Sequence, residues 1–381
     1  MKLIINASNL YGSGGLQVAY SFIHECRKFA WHEYHVFLCP KLTDQIEIQQ
    51  FPSNFIFYHS PVIPAPFGKA RQEMLKLSRL EREISPDIVF TVFGPTYWTP
   101  RATHLMGYAM PHFIYTDSPF FQIISWKENV IWKLRGFIKM WYVKRNTRYF
   151  HVETDDVRQR LAAKLKIPVT NIFTVGNTHN ASYDAFNPEN AHASILPDMN
   201  GTFNLVCISG SFEHKNLDIL NRVIPELKHL GVDDVRFILT IEPEKMGLLF
   251  SAEAREWIVN TGPVPVDVCP VLYHRSDAVF LPTLLECFSA NYPEAMKMER
   301  PLVTSGMGFA RTICGDAALY FDPVDPEDIA EKIKRLRDDA LLREALVDNG
   351  RRVLAKLNTA ESRAQQYLHL CEQLANQNKQ L

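Results

Sequence analysis

The sequence predicts an α/β chain of two parallel-sheet halves. Three observations carry that prediction: short apolar runs alternate with amphipathic stretches, the alternation occurs in two separate series, and an Asn-, Ala-, Ser- and Pro-rich stretch divides the series. A length of 381 residues agrees, at about 150 residues per domain.

In the first series Leu3 to Asn6, His35 to Cys39, Phe55 to Tyr58, Ile88 to Val92, Leu105 to Ala109 and Tyr149 to Val152 read as buried strands. Continuous apolar runs of this length suit strands covered on both faces. Leu16 to Phe29 is the first amphipathic helix. The second series holds Leu205 to Ile208, Val235 to Thr240, Ala278 to Leu281, Leu302 to Thr304 and Leu319 to Phe321. Thr178 to Phe203 reads as the linker. From Pro326 onward the pattern is helical: Ile329 to Leu336, Leu341 to Leu357 and Glu361 to Leu374. The expected domains are residues 1–180, residues 200–358 and a C-terminal helical segment, 359–381. In such folds a ligand binds beyond the carboxyl ends of the strands, in a cleft.

Composition excludes several classes. Hydrophobic residues make up 46% and charged residues 22%, a globular mixture. Lys plus Arg number 41 and Asp plus Glu 42, so bulk charge would not hold the chain on nucleic acid. Seven scattered cysteines without a C-x-x-C pair argue against a disulfide framework and a structural zinc site, and fit a reducing compartment. The apolar run Leu3-Ile4-Ile5 is too short for a signal peptide. No uncharged apolar run reaches the roughly 18 residues of a membrane span. A cytoplasmic protein is expected, with attachment to the inner face of a membrane as an option.

Four segments could carry chemistry. The first strand runs into Tyr11-Gly12-Ser13-Gly14-Gly15 and then a helix. Glycines there let the backbone approach a ligand at a helix N-terminus, or serve only as a tight connection. The dinucleotide fingerprint fails, because Gln17 holds its third glycine position. The second series opens with Gly210-Ser211-Phe212-Glu213-His214-Lys215-Asn216. A lysine at a helix start meets the positive end of the dipole and implies a nearby anion, such as a diphosphate. The third segment is Leu284-Leu285-Glu286-Cys287-Phe288-Ser289, followed by a helix carrying Glu294. If helical, eight residues rise about 12 Å, roughly the span from the sugar to the ribose of a nucleotide-sugar. Each carboxylate would accept bonds from a pair of hydroxyls, with the N–H groups of Cys287, Phe288 and Ser289 between them at the helix start. An acid among Leu284, Leu285 and Phe288 needs partners.

The fourth segment, Trp126 to Arg148, holds seven Lys or Arg against one acid, with Trp126, Trp132, Trp141 and Tyr142 interleaved. Val130, Leu134, Phe137, Ile138 and Trp141 recur at helical spacing. Two readings stand: a core helix with a solvated outer face, or a basic helix suited to an anionic membrane surface.

The spacing of Glu286 and Glu294 resembles the E-x7-E motif of retaining glycosyltransferases with two Rossmann-like domains, the GT-B class, and most closely family 4. Arg300-Pro301-Leu302-Val303-Thr304-Ser305, Gly315-Asp316-Ala317-Ala318, Phe321-Asp322-Pro323, His214-Lys215-Asn216 and Gly14-Gly15 are similar to the family's other segments. The resemblance implies two such domains facing across a cleft, with a C-terminal helix crossing back to the first. It implies a hexose moved from a nucleoside-diphosphate sugar to a saccharide or lipid-linked saccharide in surface polysaccharide assembly. It also implies catalytic roles for Glu286, Lys215 and His112: Glu286 and the backbone of Cys287 to Ser289 hold the donor sugar, Lys215 neutralises the leaving diphosphate, and His112 lies near the reacting sugar. Glu294 then binds the ribose, and Gly14, Gly15 and Gly210 line the donor. Many members carry an arginine where this chain has Gly210, so either Arg311, Arg275 or another base compensates, or activity is weak. The absence of an Asp-x-Asp motif implies no metal, and no cofactor is expected. Two other readings remain: a nucleotide-sugar epimerase, and a non-catalytic binding protein of the same fold.

Overall fold

In the computed structural model the described residues are all but 191–195, 198, 380 and 381. The chain divides into two compact units, one of Met1–Thr116, Ser125–Asn177 and Asn358–Leu381, the other of Asp117–Ile124 and Thr178–Leu357.

The first unit is built on β1 (Lys2–Ala7), β2 (Glu33–Leu38), β3 (Phe55–His59), β4 (Ile88–Thr91), β5 (Thr103–Gly107), β6 (Tyr149–Val152) and β7 (Ile172–Thr174), in the order β3-β2-β1-β4-β5-β6-β7. Every neighbouring pair is parallel. Successive residues of β1 serve opposite cores. Leu3 and Ile5 pack with Phe22, Phe90 and Tyr367, whereas Ile4 packs with Phe37, Leu77 and Val89, as the alternating strand geometry requires. Both faces being covered is why Leu3-Ile4-Ile5 is an unbroken apolar run.

The helix Ala360–Lys379 belongs to this unit. It lays Ala364, Tyr367, Leu368, Cys371 and Leu374 into the core, and Tyr367 meets Phe22 edge-on at 5.4 Å. Arg363 donates to Ser21 Oγ at 2.9 Å. Each such large apolar side chain stabilises by about 1.5–3 kcal/mol on burial.

The second unit carries β8 (Phe203–Cys207), β9 (Val235–Leu239), β10 (Ile258–Asn260), β11 (Ala278–Leu281), β12 (Leu302–Ser305) and β13 (Ala318–Phe321), in the order β10-β9-β8-β11-β12-β13. It too is parallel throughout. The strand order reverses between β8 and β11, so the loops leaving these two strands splay apart there. Such a switch point is where open α/β sheets bind ligands.

The strands β7 and β10 have no counterpart in the sequence reading. Each has three residues and lies at a sheet edge, too short for a periodic signal. The middle of the expected linker lies outside the described residues. Its beginning is not a free connection: Ala181–Tyr183 forms a single helical turn and Tyr183 is buried within the second unit. All seven cysteines are unpaired and buried. Among the described residues, no helix is long and apolar enough to cross a membrane.

Candidate functional site

The candidate residues of the second unit converge on the carboxyl ends of β8 and β11. After β8 the chain reaches Glu213–Lys215, a single helical turn, and then Asn216 at φ 56°. That left-handed conformation is one asparagine tolerates better than most residues. The Asn216 side chain donates to the carbonyls of Pro282 at 3.2 Å and Pro323 at 2.8 Å, tying the loops after β8, β11 and β13 together. The amide of Leu284 and the hydroxyl of Thr283 both donate to the His214 carbonyl, at 2.8 and 3.2 Å.

This bracing brings the Lys215 ammonium directly onto a carboxylate oxygen of Glu286. Both side chains are largely enclosed, 17% and 14% exposed. The sequence reading aimed the two at different parts of a donor; the fold makes them an ion pair. Removing one partner of such a pair leaves a desolvated charge uncompensated. The neighbouring His214 imidazole is held neutral, its pKa lowered to about 3 by burial and the adjacent Lys215 cation.

Glu294 sits in the first turn of the helix Asn291–Lys297. The Tyr273 hydroxyl lies 2.8 Å from Asn291 Oδ1 and 3.3 Å from a Glu294 carboxylate oxygen, and the Tyr183 hydroxyl also bonds Glu294. Burial pushes the Glu294 carboxyl up to about 7, against the pull of the two phenols. One turn further on, Lys297 pairs with Asp184 at 2.5 Å, and His179 reaches the same carboxylate at 3.1 Å. Residues 179–184 are thereby clamped to the Glu294 helix.

One expectation needs correction. The helix begins at Asn291, so residues 286–290 are not helical. The helical rise between Glu286 and Glu294 does not apply, and the N–H groups of Cys287, Phe288 and Ser289 belong to a loop rather than a helix start. Cys287 and Ser289 are buried and Phe288 partly so, and Ser289 Oγ accepts from Asn291 Nδ2 at 3.4 Å.

At Gly210 an added Cβ would come within 3.0 Å of the Phe212 ring, which stacks on His214 with centroids 5.7 Å apart. An exposed aromatic edge therefore occupies the space beside position 210. Arg275 precedes β11 and sits at its amino end, a strand length of about 13 Å from the loop carrying Glu286. It cannot compensate there. Arg311 follows β12 on the carboxyl edge, where it donates to the Gly306 carbonyl at 3.0 Å and lies over the Tyr320 ring.

Gly14, Gly15 and His112 belong to the first unit. Gly12 caps the helix Ser13–Glu25 in an extended conformation. Gly14 has no atom within 4 Å of an added Cβ, and Gly15 would make ordinary contact with Leu10 and Phe93 at 3.5 Å. His112 stacks flat on Trp132, centroids 4.2 Å apart. Among the described residues no group of three or more His, Cys, Asp or Glu could hold a metal ion.

The sequence reading missed Tyr183, Asp184, Tyr273 and Lys297. Tyr183 and Asp184 lie in the stretch assigned to the linker, and a Tyr-Asp pair after Ala-Ser there was the available signal.

Two doubly wound parallel sheets, with Lys215, Glu286 and Glu294 on the segments that follow the second sheet's switch-point strands, give the chain the architecture of the GT-B class. Residues 203–339 match the family model of the glycosyl transferases group 1. Solved structures match over nearly the whole chain. Sucrose-phosphate synthase from Thermosynechococcus elongatus is 16% identical with a TM-score of 0.73, covering 98% of this chain and 99% of that one. Anabaena HepE in complex with UDP and glucose is 14% identical with a TM-score of 0.72, covering 98% and 100%. WaaG, a glycosyltransferase involved in lipopolysaccharide biosynthesis, is 15% identical with a TM-score of 0.72, covering 97% and 99%. At these identities the likeness establishes the fold. No curated protein sequence matches the chain.

Proposed function

We propose that the chain is a retaining glycosyltransferase of the family 4 type. It moves a hexose from a nucleoside-diphosphate sugar to a saccharide or lipid-linked saccharide acceptor, in surface polysaccharide assembly at the cytoplasmic side of a membrane. The observation that carries this reading is the grouping of Lys215, Glu286 and Glu294 around the β8–β11 switch point. HepE, whose solved complexes hold UDP and UDP-glucose, makes uridine diphosphate sugars the first donors to test, and WaaG supports the polysaccharide setting.

In this reading the donor's diphosphate takes over the Lys215 ammonium from Glu286. Freed Glu286 then accepts hydroxyls of the sugar, with the 287–289 loop alongside. Ionised Glu294 accepts the two ribose hydroxyls. As the bond from C1 to the diphosphate oxygen breaks, charge grows on the leaving group, and a preorganised ammonium stabilises that charge more than the ground state. The acceptor hydroxyl bonds to C1 on the same face and its proton passes to the leaving phosphate. His112 is assigned to the reacting sugar, and Gly14 and Gly15 to the donor, by the resemblance alone. No divalent cation is part of this scheme.

The test is thermal stabilisation across uridine, guanosine and adenosine diphosphates and their sugars, followed by donor hydrolysis. A ligand that binds only the folded state raises the melting temperature. Stabilisation by one nucleotide series, abolished in Glu294→Ala, supports the assignment; unchanged nucleotide affinity and turnover in that variant overturns it. A non-catalytic reading has one observation in its favour, the Phe212 ring beside Gly210. Nucleotide binding without turnover on any donor would select it.

A further inference from the structure

The helix Trp126–Asn146 turns its apolar residues outward. Trp126, Val130, Ile131, Leu134, Phe137, Ile138 and Trp141 are between 46% and 75% exposed, whereas the buried positions are Gly136, Met140, Val143 and Asn146. The reading of this segment as a core helix with a solvated outer face is thereby corrected. Its inward side is fixed separately: an added Cβ at Gly136 would come within 2.8 Å of the Phe113 ring, and the Asn146 side chain donates to the Trp98 carbonyl at 2.8 Å. The outward stripe is a packed helix's second face, not a loose end.

Charge is arranged around that stripe. At about 100° per residue, the exposed apolar residues span an arc of about 140°. Lys133 and Lys144 border one side of the arc and Arg135 the other, whereas Lys139 turns inward over the Phe113 ring at 5.9 Å. Lys127 and Arg145 fall within it at the two ends, beside the Trp126 and Trp141 rings at 5.8 and 5.0 Å. The single acid, Glu128, is folded back in a capping box, accepting from the Ser125 amide at 2.9 Å. The outward face thus combines a broad apolar stripe about 23 Å long with cations on both borders and no acid opposing them.

We propose that this face docks on an anionic lipid bilayer, with the helix lying in the plane of the interface. Long Lys and Arg side chains would reach phosphate headgroups while Leu134, Phe137 and Trp141 enter the acyl boundary. A second copy of the chain is the poorer occupant, because a two-fold contact would bring identical cationic borders together.

Vesicle co-sedimentation of the full chain tests this, using phosphatidylcholine alone and phosphatidylcholine with about 30% phosphatidylglycerol. The expected result is binding to the anionic vesicles at least tenfold tighter than to the neutral ones, weakened by salt. Lys133→Glu/Arg135→Glu/Lys144→Glu and, separately, Leu134→Glu/Phe137→Glu should each lower it at least tenfold. All five positions are exposed, and unchanged circular dichroism and melting temperature would show that the variants fold. Equal binding to both vesicle types, no binding, or unchanged binding by both variants overturns the proposal. So does a dimer in sedimentation velocity that Phe137→Glu dissolves without any effect on vesicles.

Discussion

Glu294 offers a prediction that can be measured without knowing the substrate. Its carboxyl titrates at about 7 in the folded chain against 4.5 when unfolded, because burial outweighs the two phenol hydroxyls. Between those values the unfolded chain ionises this group while the folded chain keeps it protonated. The unfolded state then holds fewer protons, so stability falls as pH rises. The contribution is fully present below about pH 4.5 and lost by about pH 7. Each pH unit is worth about 1.4 kcal/mol, so the whole window amounts to about 3 kcal/mol. Glu294→Gln cannot ionise and carries no such slope. Buried His104 and His151, whose pKa values lie low at about 4 and about 3, slope the opposite way in both proteins. They belong to the other unit and cancel in the difference. Urea unfolding of both proteins from pH 4.5 to 7.5 gives that difference. A fall of about 3 kcal/mol in wild type relative to variant supports the reasoning, and a difference flat within about 0.5 kcal/mol refutes it.

Asn216→Ala should cost about 2–3 kcal/mol, losing two buried hydrogen bonds and straining a left-handed residue; Asn216→Gly should recover part of it by relieving only the backbone, as chemical denaturation would show. Tyr367→Ala, which empties the contact between the C-terminal helix and Phe22 and Phe90, should cost about 3–5 kcal/mol by the same measurement. Gly210→Arg combined with Phe212→Ala, which clears the ring now 3.0 Å from a Cβ at 210, should tighten nucleoside-diphosphate binding about tenfold by calorimetry.

The parallel sheets were legible where strands are covered on both faces, since burial makes such runs as Leu3-Ile4-Ile5 and Ala278-Val279-Phe280-Leu281 apolar throughout. The edge strands β7 and β10 were not, because three residues carry no period. Lys215, Glu286 and Glu294 stood out in the sequence by residue type and spacing, but their geometry was not legible there. Pairing of Lys215 with Glu286 depends on Asn216 fastening three loops that are distant in sequence. Likewise the phenols around Glu294 come from residues 183 and 273, one of them in a segment whose composition reads as connection. In the helix Trp126–Asn146, periodicity gave the helix but not its inward side. Gly136 and Asn146 face the protein because close approach to Phe113 and a bond to Trp98 decide the packing there, rather than hydrophobicity.

The central claim is that Lys215 receives the diphosphate of an activated sugar. Calorimetric titration of wild type and Lys215→Ala with a nucleoside monophosphate, the diphosphate and the diphosphate sugar tests it most directly. Wild type should prefer the diphosphate forms over the monophosphate at least tenfold, a difference of about 1.4 kcal/mol, and Lys215→Ala should lose that preference while keeping its affinity for the monophosphate. An undiminished preference in Lys215→Ala would contradict the account.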